Sequence, residues 1–153
     1  MERAAAMKTM FAQSLRVAWL AHAYLTAGRP ADACRLAPEA LGLARQYHER
    51  GHEAWIHGII GDIAARADPN DVAAAENAYR EAIAIADELG MRPRVALGHL
   101  ALGQLYRRAG RKGEAREHLE AATAALRTMA MPRWLDEAQV ELSALGGPPF
   151  TVS

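Results

Sequence analysis

Three stretches of this chain fall into one register, and that register limits the fold more than any other feature. Val17-x2-Leu20-Ala21-x2-Tyr24, His57-x2-Ile60-Gly61-x2-Ala64 and His99-x2-Leu102-Gly103-x2-Tyr106 align without a gap. Each is followed by a second aligned stretch: Ala33-x3-Ala37-x2-Ala40, Ala75-x3-Tyr79-x2-Ala82 and Ala115-x3-Leu119-x2-Ala122. Ala21 to Gly61 spans 40 positions and Gly61 to Gly103 spans 42. Within each stretch the spacing is that of one helix face. A small residue at 21, 61 and 103 lets a second helix come close, and Tyr24 and Tyr106 fill the space beside it. Ala33, Ala75 and Ala115 give the same closeness from the other side. The chain reads as tandem helical hairpins.

Turn chemistry divides it further. A first helix over about 9–27 carries Phe11, Leu15, Ala18, Trp19, Tyr24 and Leu25, and Gly28-Arg29-Pro30 ends it. The second covers about 30–50, with Pro38 inside costing a hydrogen bond or bringing a kink, and Gly51 closing it. The third covers about 52–66. Asp68-Pro69-Asn70-Asp71 is a turn from which Asp71 can cap a fourth helix, to about 89, stopped by Gly90. Pro93 opens a fifth, Gly110-Arg111-Lys112-Gly113 is the next turn, and a sixth covers about 114–130. Pro132 opens a seventh carrying Trp134, Leu135, Ala138, Val140, Leu142 and Leu145, and Gly146-Gly147-Pro148-Pro149 stops it. No segment alternates as a strand does.

These motifs resemble the tetratricopeptide repeat, W-x2-L-G-x2-Y followed by A-x3-F at a period of about 34 residues. Here the period is longer, the first-position tryptophan is missing, and Ala64 stands where tyrosine is expected. The resemblance covers about 15–145 and implies an all-α, right-handed α-solenoid of about three extended hairpins. Its repeats are approximately 10–50, 52–89 and 93–130, within a repeat domain of 1–145. A capping helix at 132–145 would cover Leu119 and Leu126, leaving 146–153 as a flexible tail. Glu49-Arg50-Gly51-His52-Glu53-Ala54-Trp55, Ala86–Pro93 and Leu105–Arg111 are similar to the C-terminal repeat region of bacterial proteins carrying a nucleotide-cyclase or signal-transduction ATPase domain. That likeness implies a regulatory piece of a larger cytoplasmic signalling protein. The catalytic part of that architecture is not here, for no G-x4-G-K-[ST] occurs.

Composition excludes several classes. Of the 153 residues, 18 are basic and 18 acidic, so no overall field draws the chain to nucleic acid or membrane. The Arg107-Arg108-x2-Arg111-Lys112 cluster lacks interleaved aromatics beyond Tyr106. No run of 18 apolar residues is present. The single cysteine, Cys34, rules out an internal disulfide and reads as a packing residue. His48 and His52 have metal-ligand spacing, but Gly51 interrupts the helix between them, so no metal or cofactor is expected. Ser14, Ser143 and Ser153 have no nucleophile elbow and no base nearby in sequence, so no catalytic residue is expected.

What remains is binding. In such arrays the first helices line a concave face. His22, Asp62 and Gln104 are equivalent positions there and would form a polar ladder for an extended peptide. Arg66, Arg107 and Arg108, one turn on, would make one end basic, where the helix dipole also favours them. Trp55 and Leu100 complete the expected partner-binding set. The family's clamp for a peptide carboxylate needs Lys and Asn where Ala18, His22, Ile59 and Asp62 stand, so that mode is absent. Trp19, Trp55 and Trp134 read as core aromatics, with Trp55 the one expected to be partly exposed. The expected function is a non-catalytic scaffold for a protein or peptide partner. The alternative is homodimerisation through an N-terminal helix edge of Met7, Phe11 and Leu15 with no hairpin before it.

Overall fold

The computed structural model describes residues 13–146. Among them are seven helices and no strand: α1 (Gln13–Thr26), α2 (Pro30–Gln46), α3 (Arg50–Ala67), α4 (Val72–Glu88), α5 (Arg92–Arg108), α6 (Lys112–Thr128) and α7 (Pro132–Ala144). The fold is all-α, built of consecutive helices packed against one another. The chain divides into two compact units, residues 1–85 and 86–153. In the first, α1 packs on α2, α2 on α3, and α1 also touches α3; in the second, α5, α6 and α7 repeat the arrangement.

One closure ends five of the seven helices. At Gly28, His48, Gly90, Gly110 and Ala130 the chain enters the left-handed region, with φ of 80°, 55°, 71°, 80° and 53°. Each time the next amide donates to the carbonyl five residues back: Arg29 to Tyr24, Glu49 to Ala44, Met91 to Ala86, Arg111 to Tyr106, Met131 to Leu126. This is the Schellman closure, which satisfies carbonyls the helix end leaves open. The expectation that Gly51 closes α2 fails. His48 makes the turn, and Gly51 lies inside α3. Asp71 does cap α4, accepting from the Ala74 amide at 3.3 Å. Pro38 sits within an uninterrupted α2 and is exposed, so its ring meets solvent.

The small residues mark the contacts the register assigns to them. A Cβ on Gly61 would lie 2.5 Å from the Tyr79 ring, and one on Gly103 would overlap the Leu119 side chain. Tyr79 and Leu119 are the bulky members of the Ala-x3-bulky stretches in the following helices. Where the first helix has alanine, at Ala21, the corresponding residue is the small Ala37, and both are buried in one core cluster. Bulk lost on one helix is gained on its mate, which keeps the packing dense. The core of the first unit gathers Ala18, Ala21, Leu25, Ala33, Ala37, Ala40, Ala44, Ile56, Ile59 and Ile63. Leu102, Tyr106, Leu119, Ala122 and Leu126 are fully buried in the second.

Candidate interaction surface

In the first unit, α1 and α3 run parallel. At their N-terminal ends Ser14 Oγ donates to Glu49 Oε1 at 2.9 Å and lies 2.9 Å from His52 Nδ1. At their C-terminal ends Arg66 donates to the Leu25 carbonyl at 3.2 Å. The Ser14 contact supplies the base that sequence spacing did not reveal. With the hydroxyl proton spent on Glu49, the contact to His52 requires an Nδ1–H that donates to Ser14. Ser14 is also wholly buried. The trio is a clasp between helices.

A second polar cluster joins α2 to α3. Buried Glu53 accepts from Arg45 at 3.2 Å and from Arg50 at 2.8 Å. One turn on, His57 is 9% exposed and its Nε2 has no hydrogen-bond partner. Burial pushes this imidazole below its ordinary 6.5; Glu81 and Glu53 oppose that, while Arg45 and Arg50 add to it.

Most of the expected concave set is engaged within the chain. Asp62 accepts from the Tyr79 hydroxyl. Gln104 donates to Glu137 at 3.0 Å, and Arg107 pairs with Glu141, both on α7. Arg66 is the α1 tether already described, and Arg108 donates to the Gln104 carbonyl of its own helix at 3.3 Å. Leu100, at 3% exposed, belongs to the core of the second unit and cannot meet a partner there. His22 and Trp55 remain exposed, Trp55 by 39%. The basic cluster is also committed: Arg111 lies 4.5 Å over the Tyr106 ring and pairs with Glu114 at 2.6 Å. Arg29, Tyr24 and Asp32 repeat that arrangement in the first unit. Sequence reading missed this Tyr-x3-Gly-Arg-x2-acid motif, although both copies were visible.

A different apolar surface is exposed on α1. Ile56, Ile59, Ile60 and Ile63 of α3 pack on the α1–α2 hairpin. Forty residues earlier, the register puts Arg16, Trp19, Leu20 and Ala23 on the corresponding stripe of α1, and all four are exposed. Trp19 is 63% and Leu20 47% exposed, so Trp19 is not the core residue expected of it. Met7 and Phe11, the other expected edge residues, lie outside the described residues; Leu15 is half-buried.

Among the described residues no three or more His, Cys, Asp or Glu side chains gather closely enough to hold a metal ion. None of the described helices is long and apolar enough to cross a membrane. A depression of about 330 Å³ in the second unit is lined by Arg92, Ala121, Ala124, Ala125, Thr128 and Met129, with Arg92 its one ionisable side chain. No family model matches the chain, and no curated protein matches it in sequence.

Proposed function

We propose that this chain is a non-catalytic protein–protein interaction module of the tetratricopeptide-like kind, and that it associates with a second copy of itself through the α1 stripe. The observation that carries this reading is Trp19 and Leu20 exposed where their counterparts Ile59 and Ile60 pack against a hairpin. A stripe at i, i+3, i+4 and i+7 is what a helix presents to another helix. The same stripe is exposed on every copy, so two copies can pair stripe to stripe about a two-fold axis, each covering the other's Trp19 and Leu20. Tryptophan is enriched among residues that dominate binding energy, and adjoining exposed apolar residues such as Trp19, Leu20 and Ala23 mark an interaction site.

Sedimentation velocity across a wide concentration range tests it. Self-association that is lost in Leu20→Glu, with helix content unchanged by circular dichroism, is the expected result. A wild-type chain that stays monomeric throughout overturns it.

The concave-face reading keeps support from the exposed His22, Trp55, Arg66 and Arg108. A Trp55→Ala variant that loses a captured peptide while Leu20→Glu retains it would favour that face. The regulatory, cytoplasmic role in a larger bacterial signalling protein rests on the sequence likeness. Finding a cyclase or ATPase domain in the same reading frame would test it.

A further inference from the structure

His99 on α5 and His118 on α6 face each other within the second unit. Their Nδ1 atoms are 3.0 Å apart, and the ring centroids are 5.2 Å apart with 24° between planes. The centroids are farther apart than the nitrogens by about two ring radii, so the nitrogens lie edge to edge between the rings. At that distance one nitrogen donates and the other accepts, and a single proton lies between two lone pairs. Both residues are half-buried, and Tyr106 flanks His118 at 5.4 Å. The pair is thus partly shielded from water and still reachable from it.

We propose that His99 and His118 form a two-imidazole site for a divalent transition metal of the copper(II) or nickel(II) type. A metal about 2.0–2.1 Å from two imidazole nitrogens, at the right angle those ions favour, holds the nitrogens about 2.9 Å apart. At 3.0 Å the observed nitrogens have that separation, and the rings, now aimed at each other, turn about their side-chain torsions until both lone pairs meet at the ion. Tetrahedral zinc opens the same separation to about 3.4 Å, so zinc fits less well. Two protein ligands leave the remaining positions to water, which makes the ion exchangeable and agrees with the absence of any larger ligand cluster among the described residues. On binding, the ring that carried Nδ1–H takes its proton on Nε2 instead. Both rings stay neutral, one N–H···N bond gives way to two metal–nitrogen bonds, and no electron is transferred.

Calorimetric titration of the metal-free chain with Cu²⁺, Ni²⁺ and Zn²⁺ tests this. One equivalent should bind, with Cu²⁺ and Ni²⁺ tighter than Zn²⁺. His99→Phe and His118→Phe keep a flat ring and remove the nitrogens. Loss of an outer-shell partner alone weakens metal sites by about 10–100-fold, so each variant should lose at least about tenfold. On the unmutated chain, sub-stoichiometric Cu²⁺ should broaden the ring resonances of His99 and His118 before those of His22, His48, His52 and His57. Variants that bind as wild type does, a preference for Zn²⁺, or broadening that begins at the other histidines would each overturn the site.

Discussion

At the scale of the residue, Gly61 and Gly103 set tight steric limits. A methyl at Gly61 meets the Tyr79 ring, and one at Gly103 meets the fully buried Leu119. Neither neighbour is the loose end of a flexible chain. Gly61→Ala and Gly103→Ala should each destabilise by about 1–3 kcal/mol in urea unfolding, although alanine favours helix over glycine. Pairing Gly61→Ala with Tyr79→Leu should recover part of the loss, because the two sites share one contact. His57 gives the fold a dependence on pH. Its folded-state pKa lies below the ordinary 6.5, and the first cause is burial. The unfolded chain therefore binds the proton more readily. The stability contributed by keeping this ring neutral is present above pH 6.5 and declines as pH falls through the depressed folded value. Unfolding free energies measured from neutral to mildly acidic pH should show that decline, and His57→Gln should flatten it.

At the scale of the element, five of the seven helices end where the backbone turns left-handed, and this explains both what the sequence showed and what it hid. Gly28, Gly90 and Gly110 announced their turns. His48 and Ala130 make the same turn without glycine, so α2 was read as reaching Gly51 when it stops at Gln46. Alanine carries no local signal for positive φ and histidine only a weak one. Ala130 is exposed, so its Cβ contributes strain and little packing. Ala130→Gly should raise stability by a few tenths to about 1 kcal/mol in thermal unfolding, the relieved strain being partly offset by a more flexible unfolded chain. At the N-terminal ends of α1 and α3, Ser14→Ala removes the hydroxyl that satisfies buried Glu49. That change should cost about 1–3 kcal/mol, and amides of the first turns of α1 should exchange faster in the variant.

At the scale of the whole molecule, the repeat register was legible because each hairpin sets a small residue of its first helix against the second, at fixed offsets, with Tyr79 and Leu119 filling the space opposite the two glycines. The binding surface was less legible. Sequence periodicity marks Trp19 and Leu20 as the apolar side of a helix, and it marks Ile59 and Ile60 in the same way. It does not say whether a hairpin lies on that side, and only the second pair has one packed there. The engagement of the ladder was hidden for a related reason: the carboxylates of α7 that meet Gln104 and Arg107 lie 33 or more residues away in sequence. If a second copy covers the α1 stripe, association and folding are linked, because a partner that binds only the folded chain stabilises it by mass action. The melting temperature of the wild-type chain should then rise with protein concentration. In Leu20→Glu the carboxylate stands where the partner's apolar surface would have to desolvate it, and its melting temperature should be independent of concentration. At high dilution, where both chains are monomeric, the two should melt within a few degrees of each other, since Leu20 is already half in water. Concentration-independent melting of both chains would leave the stripe without a second copy to cover it.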